Sequence, residues 1–173
     1  MEKKIAVILG DGIGPEVTQQ SIKVLNMIAK QYGHSFSYEY ALMGAVAIDE
    51  TGNPLPDETI TICKNSDGIL FGAIGDPKYD NDPTAKVRPE QGLLKLRKEL
   101  ELFANIRPVK TYASLQHLSP LKAKQLENVD FVIFRELTGG IYFGAKSLSE
   151  DGTIARDDCS YSVMEIERVA HLA

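Results

Sequence analysis

In the stretch "GLLKLRKELELFANIRP", Gly92 to Pro108, Arg97 lies three and four residues after Leu94 and Leu93 and three before Leu100. On a helix these positions share a face, so the guanidinium would project from an apolar surface. An unpaired charge there is costly, and something anionic must meet it. Arg107 follows in a strand-like run, just before Pro108. Arg135 closes the apolar run Phe131 to Phe134, which reads as a buried strand, near a strand end where ligands gather in open α/β sheets. Three converging arginines would suit a ligand with more than one carboxylate, because the planar guanidinium fork binds carboxylate bidentately. Leu93 and Leu94 beside them would suit an apolar branch on that ligand. The competing reading pairs Arg97 with Glu101 and Arg135 with Glu136, as surface ion pairs of about 0–1 kcal/mol. Composition and spacing leave both open.

The elements that would carry these residues alternate between strand-like runs and helical stripes, which indicates an α/β fold with a largely parallel sheet. "IAVIL", Ile5 to Leu9, is continuous enough in apolar character for a buried strand. "GDGIGPE" then turns into a helix with Pro15 in its first turn and an apolar stripe of Val17, Val24, Leu25 and Ile28. Phe36, Tyr38, Tyr40 and Leu42 alternate as in a half-exposed strand. "DGILFGAI", Asp67 to Ile74, reads as a second buried strand, and the polar loop "GDPKYDNDPTAKVRPEQ" after it is a place where sites are built. Further strands are expected in "FANIRPVK" and "VDFVIFREL", then two around the Glu150-Asp151-Gly152-Thr153 turn. A domain boundary is expected near Leu100 to Phe103, giving residues 1–101 and 102–173. Ser162 and Glu165 form a capping box for a helix whose stripe of Val163, Ile166, Val169, Ala170 and Ala173 continues to the last residue with no stop signal.

Bulk properties narrow the functional classes. With 43% hydrophobic and 25% charged residues, the composition is that of a globular chain. The net charge of −5 gives no overall attraction to nucleic acid or an anionic membrane surface. No apolar segment approaches the roughly 20 residues that span a bilayer, and Asp11 interrupts the first apolar run before a secretory signal could form. Cys63 and Cys159 form no CxxC motif, and His34, His117 and His171 are scattered, so neither a zinc site nor a disulfide framework is indicated. A reduced, cytoplasmic protein is the economical reading. The Gly10 to Gly14 turn lacks the third glycine of GxGxxG and by itself is weak evidence for a dinucleotide. A generic phosphate-binding module would explain that turn but leave the arginines unexplained.

Four blocks in order, "GDGIGPE", "GDPKYD", "RPEQGLLKLRKELELFANIRPVK" and "FRELTGGIYFG", resemble the β-decarboxylating dehydrogenase family from Lys4 to the last residue. The resemblance implies an isocitrate/isopropylmalate dehydrogenase-like α/β fold, non-Rossmann, with a parallel or mixed sheet and flanking helices. It also implies oxidation of 3-isopropylmalate with NAD, then metal-assisted decarboxylation to 2-oxoisocaproate in leucine biosynthesis, by a homodimer. By the same resemblance Arg97, Arg107 and Arg135 clamp the malate carboxylates, Leu93 and Leu94 line the pocket for the isopropyl branch, and Tyr142 is the general acid that protonates the enolate. Ile13, Gly75, Asp76, Pro77, Lys78, Tyr79, Asp80, Arg88 and Glu90 match cofactor-contacting positions, with Asp76 standing where many relatives have glycine. Isocitrate-specific members carry serine and asparagine where this chain has Gln91 and Leu93.

The family's catalytic lysine, its adenosine-binding loop and the aspartates that hold Mg²⁺ or Mn²⁺ come from sequence that this chain does not contain. The expectation is therefore a truncated fold, about half an enzyme and inactive alone, with no metal ligands of its own. Other members of the family, acting on isocitrate, homoisocitrate or tartrate, remain alternatives, as does a non-catalytic remnant acting by interaction.

Overall fold

A computed structural model describes residues 1–81 and 84–173. Asp82 and Pro83 of the polar loop lie outside the described residues. The chain divides into two compact units, Met1–Leu100 and Glu101–Ala173.

The first unit is built on a three-stranded parallel sheet. β1 (Glu2–Gly10) runs between β2 (Ser35–Tyr40) and β3 (Gly68–Ala73), with Val7 opposite Tyr40 and Ile8 opposite Phe71. A central parallel strand is covered on both faces, which explains why "IAVIL" is continuously apolar: Ala6, Val7 and Ile8 are fully buried. On one face Ala6 and Ile8 pack with Met43, Leu55, Ile60, Cys63 and Leu96. These come from the segments around α2 (Ala45–Thr51), α3 (Asp57–Lys64) and α5 (Pro89–Glu99). Between β3 and α5 lies the one-turn α4 (Pro77–Asp80).

The long helix α1 (Gly14–Tyr32) packs against the strands, but only in part by the stripe read from the sequence. Its buried residues are the small Gly14, Thr18 and Ala29, and Leu25 of that stripe is half-buried on the same face, whereas Val17, Val24 and Ile28 are 46%, 58% and 41% exposed. Small residues let the helix axis approach the sheet closely, and this selects a face that bulk apolarity does not identify. The tight β1–α1 turn makes the same demand. Gly10 has φ +74°, and a Cβ there would sit 2.0 Å from the Ala73 carbonyl oxygen.

β3 is also less buried than its composition implies, since Phe71 is 37% exposed. It is an edge strand, and no strand pairs with its outer side among the described residues.

In the second unit β4 (Ala104–Lys110) and β5 (Asp130–Glu136) form an antiparallel ribbon, with Ala104 opposite Glu136 and Lys110 opposite Asp130. They are joined through a 3-10 turn, Ala113–Leu118, and the short α6 (Ala123–Leu126). The expected burial of Phe131 to Phe134 is not found: Phe131, Val132 and Ile133 are 45–50% exposed. A two-stranded ribbon offers no second layer on both of its faces. Tyr142 lies in a second 3-10 turn, Gly140–Tyr142. β6 (Lys146–Leu148) and β7 (Ala155–Asp157) form the expected hairpin. The Asp151 carboxylate closes its turn by accepting from the Ser149 and Thr153 hydroxyls and the Thr153 N–H, which hold its pKa down to about 2. The Ser162–Glu165 capping box opens α7 (Val163–Ala170), which ends three residues short of the stripe's expected extent.

Candidate functional site

In the first unit, the chain leaves β1 toward β2 on one side of the sheet and returns to β3 on the other. The carboxyl ends of β1 and β3 therefore form a topological switch point, where ligands bind in open α/β sheets. Gly10 to Gly14 and the start of the polar loop meet there. Asp11, only 5% exposed, is the junction. Its carboxylate accepts the N–H groups of Ala45 at 2.9 Å, Val46 at 3.0 Å and Gly75 at 2.9 Å. Ile13 caps the amino end of α1 and is 63% exposed; the Gly14 N–H there donates to the Asp11 carbonyl oxygen at 2.8 Å. Leu9, Pro15, Tyr40, Leu42 and Val46 line an adjacent apolar hollow.

The loop residues are ordered by local bonds. Asp76 opens α4 by accepting the Lys78 N–H at 2.9 Å. Asp49 on α2 accepts from Lys78 Nζ and from the Tyr79 hydroxyl at 2.8 Å. Lys78 first, then Tyr79, hold the Asp49 carboxyl below its ordinary range, and Asp49 raises Lys78 in turn. Arg88 and Asp80 form a loose ion pair at 3.9 Å. Pro77 starts α4, and Glu90, exposed in the first turn of α5, lies close to Gly75. The candidate cofactor-contacting residues therefore do cluster, and three of the groups that order them (Asp11, Asp49 and the start of α2) were not singled out from the sequence.

Leu93, Leu94 and Arg97 lie on α5 in the same unit, all half-buried. Leu93 packs partly against the core cluster.

Arg107, Arg135 and Tyr142 belong to the second unit. Asn105 lies opposite Arg135 and Arg107 opposite Ile133, so the two arginines share one face of the ribbon. Asn105 Oδ1 accepts from Arg107 Nε at 3.1 Å. Arg135 donates to the Tyr142 hydroxyl oxygen, and its guanidinium carbon stands 5.3 Å from that ring's centre.

The alternative pairing of Arg135 with Glu136 is not what forms. Glu136 occupies the opposite face, where its carboxylate accepts from Arg168 at 2.8 Å, from the Thr138 and Gly139 N–H groups and from the Thr138 hydroxyl. Burial pushes Glu136 up, but the Thr138 hydroxyl, the Gly139 N–H and Arg168 together outweigh it and the carboxyl is held below its ordinary value. Arg168 also reaches Thr138 and lies 4.8 Å from the Phe103 ring centre. This knot fixes the turn that carries Tyr142. The close spacing of Glu136 and Thr138 was the available signal for it, while Arg168 lies too far along the chain to be connected by spacing.

Among the described residues no group of three or more His, Cys, Asp or Glu could hold a metal ion. No helix among them is long and apolar enough to cross a membrane.

Residues 4–173 match the family model described as isocitrate/isopropylmalate dehydrogenase. The chain is 56% identical over 169 residues to 3-isopropylmalate dehydrogenase of Bacteroides fragilis (strain YCH46) and 53% identical over 173 residues to that of Bacillus subtilis (strain 168). Each match covers 98% of this chain and 47% of the relative, so the chain spans about half the length of the curated relatives it matches. Among solved structures, isocitrate dehydrogenase from Methylococcus capsulatus matches with a TM-score of 0.78 at 24% identity, covering 98% of this chain and 45% of that one. A likeness at that identity bears on the fold. A β-decarboxylating dehydrogenase from Thermococcus kodakarensis matches with a TM-score of 0.67 at 31% identity, covering 98% and 43%.

Proposed function

Because the chain belongs to the isocitrate/isopropylmalate dehydrogenase family, we propose that it supplies the carboxylate-clamping and proton-donating parts of an NAD-dependent enzyme that converts 3-isopropylmalate to 2-oxoisocaproate in leucine biosynthesis. Residues 1–101 would open the cofactor domain and residues 102–173 the substrate and dimerisation domain. Relatives 51–56% identical that carry the 3-isopropylmalate dehydrogenase name support this substrate. NAD, when bound, accepts the hydride released from the hydroxyl carbon. The residues present suit a dinucleotide in one respect: the apolar hollow lined by Leu9, Pro15, Tyr40, Leu42 and Val46, beside the loop at the carboxyl ends of β1 and β3, suits an apolar ring. Mg²⁺ or Mn²⁺, when bound, would assist the decarboxylation in this reading, held by carboxylates from the part of the relatives that this chain does not match.

Arg97, Arg107 and Arg135 would hold the two carboxylates, with Leu93 and Leu94 against the isopropyl group. Tyr142 would protonate the enolate after carbon dioxide leaves. The observation that carries this role is the direction of its bond with Arg135. The guanidinium donates to the phenol oxygen, so the phenol's own proton is not used there and can be given to a substrate atom. Homodimerisation and a cytoplasmic setting complete the proposal; free Cys63 and Cys159 fit a reducing compartment.

The test uses this chain completed with the part of the Bacteroides fragilis relative that it does not cover. Tyr142→Phe should lower kcat by roughly 10²–10⁴-fold, the usual span for a general acid, with KM for 3-isopropylmalate changed little. Undiminished turnover would return Tyr142 to a packing role.

A further inference from the structure

We propose that Asp11 and Asp49 are positioning residues that fix the Gly75–Tyr79 segment against α2 and so set where the cofactor-contacting loop stands. This rests on the cofactor reading above and adds two residues that the sequence blocks do not assign to it. The two carboxylates act at opposite ends of the same segment. Asp11 Oδ2 accepts the Gly75 N–H and, at the same time, the Ala45 N–H that begins α2, while Oδ1 takes Val46. One buried group thus ties the end of β3 to the start of α2. Gly44 leaves room for it, since a Cβ there would lie 2.4 Å from Oδ2. Asp49 sits four residues after Ala45, one turn along α2. It receives Lys78 Nζ at 2.5 Å and the Tyr79 hydroxyl at 2.8 Å. The segment is therefore held to α2 directly at positions 78 and 79 and, through the shared Asp11 carboxylate, at position 75, and Asp76 stiffens the span between them by capping α4.

The two pins differ in kind. Asp11 is buried and accepts three backbone donors. An asparagine there offers one acceptor oxygen in place of two and leaves a part-buried N–H without a partner. Asp49 and Lys78 are about half exposed, and a pair of that kind adds little to global stability. Its effect is on where the loop stands, so it can be removed without unfolding the unit.

The experiment measures amide hydrogen exchange and steady-state kinetics in the completed chain carrying Asp49→Ala, Asp49→Asn or Asp11→Asn. Asp49→Ala should raise exchange across residues 75–81 by about tenfold, as expected for a locally released segment. KM for NAD should rise roughly fivefold, with kcat and KM for 3-isopropylmalate within about twofold. Asp49→Asn, which keeps one acceptor, should fall between Ala and the unsubstituted protein. Asp11→Asn, where it folds, should show the larger loss. Unchanged exchange over 75–81 in Asp49→Ala would overturn the anchoring itself. Raised exchange with an unchanged KM for NAD would overturn the proposal at the cofactor reading instead.

Discussion

Arg135 gives its guanidinium to the phenol oxygen of Tyr142, while its neighbour Glu136 turns to the other face of the ribbon and gathers Arg168, Thr138 and Gly139. Adjacent residues on a strand thus divide two tasks, one toward the candidate site and one toward holding its turn. Spacing alone left the arginines open between a clamp and ordinary surface ion pairs, and only the blocks that resemble the family singled them out. Neither revealed Arg168, whose partner lies 32 residues away. A pH dependence follows from Glu136. Its folded pKa is held below the ordinary 4.5. The stability it contributes is therefore complete above the unfolded value and is lost as pH falls through the lowered folded value. Urea midpoints measured from pH 6 down to about pH 3 should fall more steeply for the unsubstituted chain than for Glu136→Gln; equal slopes would exclude the linkage. Arg97→Lys in the completed chain should raise KM for 3-isopropylmalate and lower kcat/KM by roughly tenfold or more, leaving KM for NAD nearly unchanged, because lysine keeps the charge and loses the fork. An unaltered kcat/KM would remove Arg97 from the clamp.

Among the elements, those with strong local signals were readable: the β1–α1 turn, the Asp151-Gly152 hairpin and the capping box of α7. Faces were harder. For α1 the bulky stripe pointed to Val17, Val24, Leu25 and Ile28, yet of these only Leu25 is half-buried, beside the buried Gly14, Thr18 and Ala29. Periodicity identifies an apolar side; how closely a helix sits on a sheet is a tertiary matter. Likewise the apolar runs of β3 and β5 gave their strand character correctly but not their exposure, which depends on what covers an edge or a ribbon. α5 offers the contrast, since Leu96 is 2% exposed and belongs to the core cluster although Leu93 and Leu94 drew attention first. Leu96→Ala should destabilise the 173-residue chain by about 2–5 kcal/mol, while Val24→Ala should cost no more than about 0.5 kcal/mol. Chemical denaturation of the two variants checks this, and a large loss in Val24→Ala would restore the bulky stripe as the packed face.

At the scale of the whole molecule, the two units carry different parts of the proposed chemistry. The first holds the anchored loop, Arg97 and the leucines; the second holds Arg107, Arg135 and Tyr142. The chain covers 47% of the length of its curated relatives, and substrate choice is the claim on which the functional reading turns. Leu93 and Leu94 are apolar and half-buried on α5, so this turn of the helix offers an alkyl branch more than it offers a third carboxylate. A methylene-sized difference in such a pocket is worth about 1–3 kcal/mol. The direct measurement is kcat/KM of the completed chain with 3-isopropylmalate, isocitrate and malate, followed by NADH formation with NAD and Mn²⁺ present. Preference for 3-isopropylmalate, by roughly tenfold or more, is the predicted result; preference for isocitrate would contradict the account.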